Sequence, residues 1–216
     1  MNEKERIAKR VAKELKPGNI VNLGIGLPTL VSNFVSKDAE IFFQGENGIL
    51  GIASEIPEEI SNPNLINAGG KYVDIIPGAM IFDSAFSFAL IRGGHIDVTV
   101  LGAFQVDQEG HLANWMVPGK VIAGMGGAMD LVTGAKKVII AMTHTSKGTP
   151  KIIKKCSLPL TSIRRVDLIV TEFSVIEPTD NGLLLKEISP DITLEELKEI
   201  TEAELIVPDD LKLMEF

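Results

Sequence analysis

The residues best placed to do chemistry lie in Gln44-Gly45-Glu46-Asn47-Gly48-Ile49-Leu50-Gly51, directly after the apolar run Ile41-Phe42-Phe43. A carboxylate between glycines at the end of a buried strand is partly desolvated and open-faced, which makes Glu46 a candidate nucleophile. On the octapeptide alone a solvated turn carboxylate outweighs that reading, and both stay open. A second stretch, Gly124-Met125-Gly126-Gly127-Ala128-Met129-Asp130-Leu131, sets the pair Gly126-Gly127 at the opening of an expected helix. Amides exposed there can donate to a developing oxyanion, the partner that a carboxylate attacking a carbonyl needs. A turn that requires positive φ accounts for the pair equally well.

Other chemistries find less support. His95, His111 and His144 are far apart and lack ligand spacing, and the one cysteine has no cysteine partner, so no metal is expected. Ser84 and Ser87 are not flanked by glycines and do not form a nucleophile elbow. Cys156 has a basic neighbour in Lys155, but the continuation Leu158-Pro159-Leu160 implies burial rather than a reactive thiolate. Gly24-Ile25-Gly26 lacks the third glycine of a dinucleotide loop and has Pro28 at the helix start, so it reads as a tight structural turn.

These stretches must be held by an α/β framework. Ile7, Ala8, Val11, Ala12 and Leu15 form one helical stripe that Pro17-Gly18 ends. Asn19 to Leu23 reads as a strand, followed by the glycine turn and an apolar helical pattern through Val31 and Phe34. Asn64 to Ala68 and Tyr72 to Ile76 are short apolar segments, the second closed by Pro77-Gly78, and Phe82 to Ile91 is a buried helix or strand. Val98 to Gly102, Val138 to Met142, Leu168 to Thr171 and Gly182 to Leu185 are β-branched or apolar runs suited to strands buried on both faces. Thr193-Leu194-Glu195-Glu196 is a capping box that opens a helix through Ile200, expected to close the chain. No repeat or linker appears, so residues 1–216 are expected to form a single domain, an open and mostly parallel sheet flanked by helices.

Composition narrows the setting. The chain has 216 residues, 45% of them hydrophobic, and a net charge of −8. That excludes a disordered or fibrous protein, and with little aromatic interleaving it argues against nucleic acid. A charged, amphipathic N-terminus and short apolar runs lead us to expect a cytoplasmic protein with no membrane segment. From Glu172 to Phe216 there are 13 acidic residues against three lysines, whereas Leu131 to Val166 holds eight Lys and Arg and no acid. The basic segment is expected to be a surface face, with a phosphorylated ligand or an acidic partner as the alternative.

Taken together, several segments resemble one family. They are Asn22-Leu23-Gly24-Ile25-Gly26-Leu27-Pro28-Thr29, Glu46-Asn47-Gly48, Ile66-Asn67-Ala68-Gly69-Gly70, Ile91-Arg92-Gly93-Gly94-His95, Ala113-Asn114-Trp115, Pro118-Gly119-Lys120, the Gly124 to Leu131 stretch, and Lys155-Cys156-Ser157-Leu158-Pro159-Leu160-Thr161. In this order, over nearly the whole chain, they resemble the β chain of the two-subunit 3-oxoacid coenzyme A-transferases, especially the acetate or butyrate:acetoacetate enzymes. The resemblance implies that Glu46 is the nucleophile and that the glycine pair, Gly127 before Gly126, supplies a backbone oxyanion donor. It departs at Gly45, where the family has a serine. It further implies ping-pong transfer through a glutamyl-CoA thioester, with coenzyme A carried as part of the substrate and no resident cofactor. Acyl-CoA and short-chain carboxylic or 3-oxo acids are the implied substrates, and a homologous A subunit in an A2B2 assembly is the implied partner. The rival readings are a non-catalytic α/β assembly subunit and an acyl-CoA thioesterase. Phe42, Phe43, Ile49 and Leu50 are expected to wall the site against water.

Overall fold

The computed structural model describes residues 1–36, 38–119 and 124–216. Its centre is a set of short apolar strands: β1 (Ile20–Leu23), β2 (Phe42–Gly45), β5 (Val98–Leu101), β8 (Lys137–Ala141) and β12 (Leu168–Val170). They lie parallel in the order β12, β8, β5, β1, β2. Alternate residues serve opposite faces, so Val98 and Val100 join one core layer with Ile139, Ala141, Leu168 and Val170, while Leu101, Val138, Ile140 and Ile169 join the other. Continuous apolar runs are therefore required, because both faces are covered.

The sheet is extended by antiparallel strands at each side. β3 (Ile49–Glu55) and β4 (Val73–Ile81) follow β2, and β13 (Ser174–Thr179) and β14 (Gly182–Ile188) follow β12. The short strands β15 (Leu205–Ile206) and β16 (Lys212–Leu213) pair with β14, giving 11 strands among the described residues. Smaller sheets are built by β6 (Gln105–Asp107), β7 (Leu112–Ala113) and β11 (Ile152–Ile153), and by β9 (Thr145–Ser146) with β10 (Thr149–Pro150).

Helices cover both faces. α1 (Glu3–Ala12) buries Ile7, Ala8 and Val11 against the layer of Val98 and Ile139. A capping box between Asn2 and Glu5 starts it. On the other face α2 (Ser84–Arg92) and α3 (Ala128–Gly134) bury Ile91, Leu131 and Val132. They approach so closely that a side chain at Gly134 would begin 2.2 Å from the Ile91 carbonyl oxygen, which only glycine allows. α4 (Leu194–Glu199) carries the expected Thr193–Glu196 capping box.

The expected mostly parallel α/β sheet is present, with four local differences. The pattern through Val31 and Phe34 forms a 3-10 helix, Leu27–Phe34, entered through Pro28. The segment at Pro77-Gly78 does not stop its strand: β4 runs through to Ile81, with register shifts where β3 meets it. α1 ends before Leu15, which is buried in the turn that follows. The chain continues past α4 to add β15 and β16. No helix among the described residues is long and apolar enough to cross a membrane.

Candidate active site

Glu46 stands in the three-residue loop between β2 and β3, at the C-terminal edge of the parallel strands. Ligands of open α/β sheets bind outside that edge. The loop is tight: the Gly48 amide donates to the Gly45 carbonyl at 3.0 Å, and the Gly48 carbonyl accepts from the Phe82 amide at 2.9 Å. Gly48 has φ +118°, and a side chain there would begin 2.0 Å from the Phe82 carbonyl oxygen, so glycine is obligatory. The hairpin is thereby stitched to the start of α2.

The half-buried Glu46 opens on a cleft of about 450 Å³ whose walls include Ile25, Leu30, Phe43, Ile52 and Val73, with Lys71 and Glu55 at its polar end. Of the four expected wall residues only Phe43 lines it. Phe42 points to the opposite side of β2, and Ile49 is buried within the hairpin opposite Ile81.

Gly127 lies against the carboxylate. A side chain at Gly127 would begin 3.5 Å from Glu46 Cγ and 3.4 Å from the Phe88 ring. Gly126, at φ +50°, faces open space and makes no such approach. The structure thus brings Gly127 and Glu46 together and leaves Gly126 as the turn that delivers its neighbour. The arrangement is fastened from below: Arg92 of α2 donates to Asp130 of α3 at 2.7 Å, and its guanidinium sits 5.4 Å over the Phe88 ring.

Beneath Glu46 is a group of buried polar side chains that sequence reasoning does not single out as partners of the carboxylate: Asn22 of β1, Gln44 of β2 and Ser87 of α2. Asn22 Nδ2 donates to Glu46 Oε2 at 3.2 Å and to Gln44 Oε1 at 2.9 Å, and Gln44 Nε2 donates to Ser87 Oγ at 2.8 Å. The signal in the sequence is that Asn22 and Gln44 interrupt otherwise apolar strands. Ser87 presents itself there only as a candidate nucleophile.

The remaining candidates fall into place. Cys156 is pushed up to about 12 by burial and then by the nearby Asp107 carboxylate, so it is a thiol at neutral pH. His144 is held down to about 4 by burial first and Lys151 second, and is a neutral core residue. Asn114 and Thr161 bond each other at 2.7 Å and fix the β7 region, and Asn67 accepts from the Gly69 and Lys71 amides at 2.9 and 3.0 Å to shape the cleft rim. In the basic segment, Lys136, Lys137, Lys154, Arg164 and Arg165 pair with Asp97, Glu14, Glu204, Asp167 and Asp180 of this chain. Most of its charge is therefore spent inside the molecule, on a surface face. In Pro118-Gly119-Lys120, Lys120 lies outside the described residues.

Comparison with known proteins identifies the architecture. The model of the family described as coenzyme A transferase matches residues 4–199. The chain belongs to this family. It is 57% identical over 216 residues to the beta chain of acetate CoA-transferase from Haemophilus influenzae, covering 100% of this chain and 96% of the relative. It is 54% identical over 205 residues to the corresponding chain of succinyl-CoA:3-ketoacid coenzyme A transferase from Helicobacter pylori, covering 94% of this chain and 99% of the relative. Its fold matches a crystal structure of an acyl-CoA transferase from Escherichia coli with a TM-score of 0.80 at 24% identity, over 99% of this chain. That solved chain is more than twice as long, and this chain spans 43% of it.

Proposed function

We propose that this chain is the β chain of a CoA-transferase that moves CoA between a short-chain acyl-CoA and a carboxylic or 3-oxo acid, acetate or butyrate and acetoacetate being the favoured pair. The observation that carries this reading is the Glu46 carboxylate, opening on the cleft with Gly127 packed against it, in a chain of this family. Glu46 attacks the thioester carbonyl, and the CoA thiolate leaves behind a mixed anhydride. The thiolate then attacks the glutamyl carbonyl, releasing the first acid and forming an enzyme-CoA thioester. A second acid reverses the sequence. Gly127, with Gly126 behind it, presents backbone amide to the oxyanions.

Coenzyme A is cargo in this scheme and no resident cofactor is invoked. The apolar cleft walls serve by excluding water, which would otherwise hydrolyse the anhydride. A companion A subunit in an A2B2 assembly completes the site; its relatives are themselves named as single chains of two-chain enzymes, which supports such a partner. A cytoplasmic setting follows from the same reading.

The test is mass spectrometry of the assembled A and B subunits after acyl-CoA treatment, with a CoA adduct expected on Glu46. Its absence would sink the transferase reading. Release of free CoA without any acid acceptor would assign a thioesterase instead.

A further inference from the structure

We infer that Asn22 is the side chain that selects which oxygen of Glu46 attacks, and that it donates to the oxyanion formed on the glutamyl carbonyl. Gln44 and Ser87 are the positioning residues that hold it in that role. The inference rests on Glu46 being the nucleophile.

The orientation of each amide follows from the one before it. The Gly45 carbonyl can only accept, and Gln44 Nε2 lies 3.0 Å from it, so the amino group of Gln44 faces that carbonyl and Ser87 Oγ. Gln44 Oε1 is then turned toward Asn22, where only an amino group can answer it, at 2.9 Å. The second hydrogen of Asn22 Nδ2 lies between the Gln44 carbonyl oxygen at 3.1 Å and Glu46 Oε2 at 3.2 Å. A carbonyl of the main chain thus dictates, through two side-chain amides, that a donor faces one oxygen of the carboxylate. Glu46 Oε1 accepts no hydrogen bond among the described residues and is the oxygen left to attack.

Satisfying the fold does not explain Asn22. It is fully buried in β1 between Val21 and Leu23, and its Oδ1 has no partner. Its register neighbour on the same face of β5, Thr99, also has a buried and unpartnered hydroxyl. An orphaned acceptor is a cost that an apolar side chain in this strand would avoid, so the feature retained is the amino group and what it touches.

The chemistry follows from the geometry. When Oε1 forms the bond to the acyl carbon, Oε2 becomes the carbonyl oxygen of the glutamyl half of the anhydride. CoA sulfur then attacks the glutamyl carbon: the C–S bond forms and the carbonyl electron pair moves onto Oε2. As the carbonyl re-forms, the bond between the glutamyl carbon and Oε1 breaks, Oε1 leaves with the departing carboxylate, and charge and atoms balance. The Asn22 N–H already in place on Oε2 meets the charge as it develops, which is where a preorganised donor contributes most.

The experiment uses the assembled A and B subunits carrying Asn22→Ala or Ser87→Ala, and reads single-turnover formation of the Glu46-CoA adduct from acetoacetyl-CoA beside thermal unfolding. Asn22→Ala should slow adduct formation about a hundredfold at an unchanged half-saturating substrate concentration. Ser87→Ala, which loosens Gln44 without touching Glu46, should slow it about fivefold with the same split. A merely structural role would lower the unfolding temperature and leave the rate of the folded fraction alone. Wild-type adduct rates in both variants would overturn the inference. Absence of any adduct in the wild-type enzyme would instead strike the nucleophile reading on which it rests, and the inference with it.

Discussion

Two buried polar clusters sit at the C-terminal edge of the parallel strands, and they differ in how completely they are satisfied. Beyond β8 and β12, His144 is fully enclosed and both ring nitrogens are engaged: Nδ1 with Thr171 at 3.0 Å and Nε2 with Thr201 at 2.8 Å. Thr201 spends its own hydrogen on the Leu197 carbonyl, so it accepts from Nε2–H, and Thr171 accepts two backbone amides and gives its hydrogen to Nδ1. Even the His144 amide is taken, by Glu172 at 2.9 Å. Beyond β1 and β2, the Asn22 cluster leaves two buried oxygens unpartnered and points its spare donor at Glu46. Closure of the bonding marks the first cluster as a structural joint. The deficit in the second marks a place where donors are kept for something the resting chain does not contain.

The comparison breaks first at Glu46. Glu46→Gln should abolish transfer, by at least about ten-thousandfold in kcat. Because Glu46 makes a single side-chain hydrogen bond, folding stability should move by less than about 1 kcal/mol in urea unfolding, and assembly with the A subunit should persist. Substantial turnover by this variant would contradict the assignment. The mirror experiment is His144→Ala, which strands two buried threonine hydroxyls and opens a cavity. It should cost about 3 kcal/mol of stability while leaving kcat of the folded, assembled enzyme within about twofold. A large loss of kcat without loss of stability would merge the two clusters that the geometry separates.

Acid sharpens the same contrast. His144 stays neutral in the folded protein down to about 4, whereas the unfolded chain takes up that proton at 6.5. Its folded value is depressed, so the stability it contributes is present above 6.5 and is lost as pH falls from 6.5 toward 4. Between about pH 7 and about pH 5 the loss amounts to about 2 kcal/mol. Glu172 acts in the opposite sense, because burial raises it and its protonated form is favoured by folding as pH falls. Urea midpoints should therefore drop more between those two pH values in the wild-type chain than in His144→Gln. Equal drops would show that His144 is not the group that charges on unfolding.

Much of this arrangement is legible in the residues, for reasons that can be named. Val98–Leu101 and Lys137–Ala141 carry side chains that suit burial on both faces, so central parallel strands follow from composition alone. Glu46 and Gly127 are legible because glycine next to a functional type marks close approach, and the chain does bring them together. What stays hidden depends on contacts between distant segments. Ser87 reaches Gln44 across 43 positions and Asn22 reaches Glu46 across 24, and nothing local in either segment announces the pairing. The full length of β4 is masked at Pro77-Gly78 because a turn dipeptide looks the same inside an irregular edge strand as in a loop. The walls around Glu46 differ from expectation for a related reason: which side of β2 faces the cleft is decided by its neighbours, not by its own apolar run.

The smallest expected effect concerns Gly45, the position where the family has a serine. Its backbone does not demand glycine, and a side chain there would begin 2.6 Å from Asn47 Oδ1 and 3.2 Å from Ile52 Cδ1. The first obstacle is the end of a flexible side chain, held by one bond from Asn47 Nδ2 to the Ile66 carbonyl at 2.7 Å. In Gly45→Ser the Asn47 carboxamide turns aside, and the new hydroxyl is near enough to donate to it. The Gly45 carbonyl keeps its bond from Gln44, so Asn22 and Glu46 stay where they are. Stability should fall by about 1 kcal/mol or less, and transfer should stay within about threefold of wild type in steady-state assays with the A subunit. A fall beyond about tenfold with the fold intact would place Asn47 and the Ile66 segment among the groups that hold Glu46, and would extend the functional cluster from the buried strands to the rim of the cleft.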